Sequence, residues 1–438
     1  MSFDMVTWTE LSAAERRRLL RRPALHSDSL VRNRVNRIMD KVRESGDAGL
    51  REITRQLDGV DLDRFRVTDD EFDQAERELS ATSIDAIDLA IRNVTRFHEM
   101  QLPTSLDVEP MPGIRCERLS RPIDSVGLYV PAGSAPLPSA AIMLAVPAAI
   151  AGCPQRIMCT PPRPTGHADS AVLVAARHSG VNCVFKIGGA QAIAAMSFGT
   201  VSVPKVNKIF GPGNAWVTVA KSLVSGDPLG AAIDMPAGPS EVLVIADETA
   251  SAEFVAADLL SQAEHGKDSQ VILITTSRQL GESISRQIAD QLVSLERREI
   301  VDNVLSNSRS IVAPDLETAL EISNTYAPEH LIIQTRNPRD VLPYVRNAGS
   351  VFLGPWSPES AGDYCSGTNH VLPTYGFARS YSGLGVEQFM HQMSVQELSE
   401  EGLRSIAPAI TELAKLEGLD AHAEAVRRRM KACKESAA

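Results

Sequence analysis

The chain contains no C-x-x-C pair: its six cysteines, at 116, 153, 159, 183, 365 and 433, are scattered. Free thiols in a reducing compartment fit that pattern, so a cytoplasmic protein is expected. Positive charge is scarce. Against 55 Asp and Glu stand 44 Lys and Arg, a net charge of −11. This excludes nucleic acid and an anionic membrane surface as main partners, since both need clustered basic residues. The one basic cluster, Arg16-Arg17-Arg18 with Arg21-Arg22, reads as a solvated or subunit-facing surface. Long apolar runs are missing too. The longest, Ala140 to Gly152, contains Pro147 and is too short to span a bilayer. The N-terminus lacks a basic region followed by an apolar core, so no secretory leader is expected. The dinucleotide fingerprint G-x-G-x-x-G is also absent.

What remains is the composition of a soluble globular enzyme, 43% hydrophobic and 23% charged. Its 438 residues allow two to four domains. Residues 10–100 carry apolar positions at three- and four-residue spacing, which predicts helices over Ser12–Leu20, Asp28 to about Ser45, from Asp69, and over Ser83–Met100. From about 114, short β-rich runs alternate with helix-length segments. Strands are expected at Ser125–Val130, Arg156–Thr160, Cys183–Ile187 and Lys208–Phe210. A second set is expected at Glu241–Ala246, Gln270–Thr275, near Ser310–Val312, His330–Gln334 and Ser350–Leu353, with one long helix over 278–298. This alternation predicts an α/β fold with parallel sheets, in two domains joined near 236–241. Residues 384–438 read as all-helical.

Several motifs can carry chemistry. The helix Phe254 to His265 ends in Ser-Gln-Ala-Glu-His-Gly, so Gln262 and His265 lie three apart, with Gly266 as the stop. They are either half of a metal site at the negative end of a helix or a polar, solvated last turn. Three glycine turns follow strands, at 131–134, Gly188-Gly189 and Gly211-Pro-Gly-Asn214. They form a nucleotide cleft or are plain strand-to-helix turns. Glu329-His330 opens an apolar strand; the two are an acid–base pair or a strand-edge contact. Asp363 lies in the polar stretch Trp356–Tyr364, read as a loop after strand 350–353 at the mouth where a site is expected. It is a hard ligand or a turn residue. Glu417 and His422, five apart in the tail, read as a solvated helix face when taken alone.

Together these blocks resemble the histidinol dehydrogenase family. The resemblance rests on Gly127-Leu-Tyr-Val-Pro-Ala-Gly, Ile187-Gly-Gly-Ala-Gln-Ala-Ile, Ile209-Phe-Gly-Pro-Gly-Asn and Ile233-Asp-Met-Pro-Ala-Gly-Pro-Ser-Glu-Val. It continues through Asp258-Leu-Leu-Ser-Gln-Ala-Glu-His-Gly, Tyr326-Ala-Pro-Glu-His-Leu and Trp356-Ser-Pro-Glu-Ser-Ala-Gly-Asp-Tyr, all in the family's order. One departure is Ala132-Gly133, where the family often has Gly-Gly.

The resemblance implies oxidation of L-histidinol to L-histidine through the aldehyde, with two NAD⁺ and one zinc ion per subunit. It implies zinc ligands at Gln262, His265, Asp363 and His422, and proton transfer by Glu329 and His330. NAD⁺ contacts are implied at Tyr129, Gln191 and Asn214. Substrate contacts are implied at Ser240 and Glu417, shared with His330 and the metal ligands Gln262, His265, Asp363 and His422. The implied fold has two incomplete Rossmann-like domains: 26–126 with 240–383, carrying most site residues, and 127–239, binding NAD⁺. Small helical segments at 1–25 and 384–438 complete it. The implied assembly is an intertwined homodimer whose tails are exchanged. Two rivals stand beside this reading. One is a cysteine-dependent aldehyde dehydrogenase using Cys116 or Cys153. The other is a zinc- and nucleotide-binding protein without catalysis.

Overall fold

The computed structural model describes every residue except 1–4, 23–28, 133, 134, 237 and 436–438. Gly133 and Ser134 of the first glycine turn, and Ala237 of the expected domain junction, therefore lie outside the described residues. The chain divides into two units, one of 1–101 with 123–389 and one of 102–122 with 390–438.

The first unit opens with a short strand, β1 (Met5–Thr7), and helix α1 (Ala13–Leu19). Ser12 and Glu15 start α1 with a reciprocal capping box. Helix α2 (Ser29–Leu57) runs beyond its expected end at 45. It is broken at Gly46, whose φ of 52° interrupts the helix without a Cβ penalty. Then come α3 (Asp69–Glu78) and α4 (Ala81–Glu99). The chain passes through two strands of the second unit, β2 (Leu106–Met111) and β3 (Ile114–Pro122), and returns.

Next is a βα series: β4 (Ser125–Tyr129), α5 (Pro138–Ile150), β5 (Gln155–Thr160), α6 (Ser170–His178), β6 (Val184–Lys186), α7 (Gly189–Phe198), β7 (Lys208–Phe210), α8 (Ala215–Ser225) and β8 (Ala232–Ile233). These strands form one parallel sheet in the order β6-β5-β4-β7-β8. A second series follows: β9 (Glu241–Ala246), α9 (Ala252–Ala263), β10 (Gln270–Thr275), α10 (Arg278–Leu292), α11 (Arg298–Ser306), β11 (Arg309–Val312), α12 (Leu316–Tyr326), β12 (His330–Gln334), α13 (Pro338–Val341), β13 (Ser350–Leu353) and α14 (Glu359–Tyr364). Its sheet is also parallel, in the order β1-β11-β10-β9-β12-β13. Strands β9, β10 and β12 are buried throughout, as strands covered by helices on both faces must be.

The α/β class and both parallel sheets agree with the sequence reading. Several boundaries do not. The helix expected over 278–298 stops at Leu292, and a second, unexpected helix begins at Arg298. The stretch 356–364 is not all loop, because Glu359–Tyr364 is helical. The N-terminal segment is not only helical, because Met5–Thr7 pairs with β11 as the sheet's edge. The helices between 29 and 99, which the resemblance grouped with 240–383, pack on the helices of the other sheet. Val35, Met39, Val42 and Leu50 join a core with Ile157, Phe185 and Ile193. An amphipathic stripe states that a helix has a buried face, but not which sheet it faces.

The second unit is a three-stranded antiparallel sheet, β2-β3 with β14 (Met390–Leu398), followed by helices α15 (Glu400–Leu416) and α16 (Asp420–Glu435). Residues 384–438 are thus not all-helical. Strand β14 escapes a pattern search because nearly all of it is exposed, so no period-two alternation is imposed on its side chains.

Candidate active site

The six-stranded sheet has its second and fifth strands in chain order, β9 and β12, side by side, with His330 paired to Val242. Their amino ends build the site. Glu241 starts β9 and His330 starts β12. The peptide of Glu241 holds both members of the expected pair. Its N–H donates to Glu329 Oε2 at 2.7 Å, and its carbonyl lies 3.1 Å from His330 Nδ1. A carbonyl only accepts, so Nδ1 carries the proton and the neutral ring keeps its lone pair on Nε2. That nitrogen is buried and has no hydrogen-bond partner among the described residues. It lies 3.7 Å from Asp363 Oδ1.

Helix α9 returns the chain to this same edge, as the helix between two parallel strands must. It ends at Ala263, earlier than expected, so His265 lies just past the helix in a turn closed by its N–H to the Gln262 carbonyl at 3.2 Å. Gln262 is fully buried. His265 Nδ1 donates to the Ser261 carbonyl at 3.0 Å, which leaves Nε2 facing Asp363 Oδ2 at 3.9 Å. Tying one ring nitrogen to a carbonyl is how a metal-binding histidine is commonly oriented.

Asp363 sits in the last turn of α14 and Glu359 in its first. Ligand atoms of His265, Glu359 and Asp363 all lie within 4.8 Å of one another. The Gln262 amide touches Glu359 Oε1 at 2.5 Å, and turned with its nitrogen there it donates to both carboxylate oxygens. Its third contact in that orientation, to His330 Nδ1, conflicts with the bond from Nδ1 to Glu241; the carbonyl bond decides the tautomer, because it admits only one assignment.

The electrostatics of this cluster favour a cation. Burial first, then the charges of Glu241 and Asp363, push the Glu329 carboxyl well above its usual range. Burial, then Asp363, Glu329 and Asp258, do the same to Glu359. Burial lifts Asp258 to about 7 against a hydrogen bond from Gln334. Burial also lowers His330 to about 4. Crowded, desolvated carboxylates cannot all ionise alone, and a divalent ion reverses that logic. Nitrogen and oxygen donors from His265, Gln262 and Asp363, with Glu359 beside them, suit zinc or a related first-row ion.

Of the expected ligands, Gln262, His265 and Asp363 converge with Glu329 and His330. His422 is in the first turn of α16 and Glu417 caps α15; both belong to the second unit. Ser240 immediately precedes β9, and its carbonyl accepts from Gln270 N–H. Glu241, Glu359 and Arg22 were missed by sequence reasoning. Arg22, assigned with its neighbours to a solvated or subunit-facing surface, instead has a side chain only 12% exposed against Glu241. The strand mouth where a site was expected is also not used: these groups gather at the amino ends of β9 and β12.

The five-stranded sheet offers its carboxyl ends. In chain order its strands lie third, second, first, fourth, fifth, so the winding reverses between β4 and β7. Ligands of such sheets bind in that crevice. Tyr129 ends β4 and Asn214 follows β7, one on each side of it. Tyr129 Oη accepts from Gly189 N–H at 2.9 Å, and Asn214 caps α8 through Trp216 and Val217 N–H. Gln191, in the first turn of α7, donates to Asp58 at 3.3 Å and has a buried Oε1 without a partner among the described residues. The residues therefore fit a dinucleotide held by glycine turns and helix N-termini. Gly211 is required there, since its φ is 121° and a Cβ would meet the Tyr129 carbonyl at 2.2 Å.

The cysteine alternative has no support here. Cys153 is buried, its Sγ donates to the Phe389 carbonyl at 3.4 Å, and burial pushes its thiol up to about 11. Cys116 lies on β3 of the second unit.

Comparison with known proteins identifies the family to which the fold belongs. The histidinol dehydrogenase family profile matches residues 20–430. The histidinol dehydrogenase of Vibrio vulnificus (strain YJ016) is 52% identical over 421 residues, covering 96% of this chain and 97% of its own. That of Escherichia coli (strain K12) is 52% identical over 438 residues, covering 100% of both chains. The crystal structure of histidinol dehydrogenase from Elizabethkingia anophelis superposes with a TM-score of 0.95, at 43% identity and 98% coverage of each chain. The chain belongs to the histidinol dehydrogenase family and is an NAD-dependent oxidoreductase of histidine biosynthesis.

Proposed function

We propose that this site oxidises L-histidinol to L-histidine in two steps on one bound substrate, with His330 as the base in both. The observation that carries the reading is the buried Nε2 of His330, without a hydrogen-bond partner among the described residues, whose lone pair is fixed by the Nδ1 bond to Glu241. In the first step Nε2 accepts the hydroxyl proton as the carbinol hydride passes to NAD⁺, giving the aldehyde. Glu329 then takes a proton from water as its oxygen bonds to the aldehyde carbon, while protonated Nε2 of His330 returns its proton to the carbonyl oxygen, giving the hydrate and freeing Nε2. His330 accepts a hydrate proton as the second hydride passes to a second NAD⁺, and the acid is formed. A carboxyl whose affinity for protons is raised by burial is a stronger base once ionised, which suits Glu329 to that role.

Zinc, one ion per subunit, is proposed to be held by Gln262, His265 and Asp363, with His422 as the fourth ligand. When bound it supplies positive charge and orients an amine- and imidazole-bearing substrate. Tyr129, Gln191 and Asn214 are proposed to hold NAD⁺, and Ser240 and Glu417 to contact the substrate. The protein is proposed to work in the cytoplasm as a homodimer with exchanged tails. No described helix is long and apolar enough to cross a membrane.

The test is to count NADH formed per L-histidinol, before and after dialysis against a chelator and again with added Zn²⁺. Two NADH per substrate, lost on chelation and restored by zinc, is the expected result. A single NADH, or full activity in protein shown to be metal-free by elemental analysis, would overturn the reading.

A further inference from the structure

We infer that Arg22 is a positioning residue for the Glu329–His330 pair and acts through Glu241. The inference deepens the reading above and rests on it. Glu241 is the hub of the pair: its N–H holds Glu329 and its carbonyl holds His330. Whatever fixes this peptide therefore fixes the separation and aim of both groups. Its side chain is gripped by a residue 219 positions earlier. Arg22 Nε donates to Oε1 at 2.5 Å and Nη2 to Oε2 at 2.8 Å, a two-pronged pairing that sets orientation as well as charge. Glu241 is buried and Arg22 largely covered, with side chains 3% and 12% exposed.

A second set of observations points the same way. The guanidinium stacks over the Tyr326 ring, 3.8 Å from its centroid, and Nη2 also donates to the carbonyls of Tyr326 and Ala327. Ala327 leads directly into Pro328-Glu329-His330. Among the described residues, only two non-glycines have φ in the left-handed region, Ala327 at 54° and Tyr375 at 56°. Ala327 also precedes a proline, where that geometry is further disfavoured. Both residues bond to the ion pair: the Ala327 carbonyl accepts from Arg22, and Tyr375 N–H donates to Glu241 Oε1 at 3.0 Å. Backbone strain persists only where its surroundings hold it in place. Here one largely covered arginine supports the strained turn and the hub together.

The experiment compares wild type with Arg22→Ala and Arg22→Lys in the NADH assay, with E329Q and H330N as references. In folded Arg22→Ala, kcat is expected to fall about 10- to 100-fold, as for a small misplacement of catalytic groups, while KM for histidinol changes far less. Added guanidinium ion should restore part of the rate in Arg22→Ala but none in E329Q or H330N. Lysine, a point charge without the fork, should give an intermediate rate. A folded Arg22→Ala with wild-type kcat would overturn the inference. So would a loss that guanidinium does not repair and that follows a fallen unfolding midpoint. Should the alanine variant not fold, Arg22→Lys decides: a reduced kcat at an unchanged midpoint supports the inference, and an unchanged kcat overturns it. Wild-type rates in E329Q and H330N would overturn the catalytic-pair reading itself, whatever Arg22 does.

Discussion

A histidine acts as a base only when one ring nitrogen is committed and the other is free. His330 meets both conditions within a site too buried to hold its charge alone. Replacing it with Asn should slow both oxidation steps by about 10²–10⁴-fold. Glu329→Gln should spare the alcohol step and impair the aldehyde step. Single-turnover assays started from histidinol and from the aldehyde separate the two, and equal loss in both would rule out the division of labour. Asp258 offers a test of the electrostatics that does not depend on turnover. Its carboxyl is raised from 3.8 to about 7 in the folded chain. Between those values the folded state binds more protons than the unfolded one, so stability falls as pH rises through that window. In metal-free protein, Asp258→Asn should flatten the decline in unfolding midpoint between about pH 4 and 7. An unchanged slope would show that the carboxyl is not the source.

At the level of elements, the glycine turn after β7 shows how local geometry sets a binding crevice. Lys221 holds the Gly211 carbonyl at 2.7 Å, and Asp234 accepts its N–H at 2.8 Å. Gly211→Ala would drive a Cβ into the Tyr129 carbonyl and spread β4 from β7. NADH affinity, read by fluorescence titration, should weaken by about tenfold or more, given about 1–3 kcal/mol of misfit. An unchanged Kd in a folded variant would detach this turn from cofactor binding. Elements of this kind were legible in the sequence. β4 and β9 are short runs that bury every residue, and Asn214 and Ser251 cap helices where a polar residue precedes an apolar run. β1, β2 and β14 were not, because short or exposed strands impose no alternation on their side chains. Gln262, His265, Asp363, Glu329 and His330 could be named from motif blocks. Glu359 was named within a block yet given no role, and Arg22 was assigned elsewhere. Their importance comes from packing between distant segments, which no local spacing records.

On the scale of the whole molecule, the two parallel sheets each contribute one end: carboxyl ends for the candidate cofactor residues, amino ends for the candidate metal and base. Glu417 and His422 lie in the second unit, and their proposed exchange between subunits has a direct test. Two inactive variants, His330→Asn and His422→Ala, are mixed after reversible dissociation. If each site draws its tail from the partner, half of a random mixture is heterodimer with one intact site of two, so activity should return to about a quarter of wild type. Sedimentation should give twice the chain mass of 47.3 kDa. No recovery above the parent variants would assign each tail to its own subunit.

The three-residue strand at Met5–Thr7 gives the first two dozen residues a weight their length does not suggest. Proteolytic trimming behind Arg22 would remove the cover from β11 and leave a row of unpaired amides and carbonyls. An open row of that kind recruits other chains, so the trimmed protein should tend toward edge-to-edge aggregation. The same cut would release the arginine that grips Glu241. This short N-terminal segment is thereby tied to both solubility and catalysis, and an affinity tag fused there would bear on both.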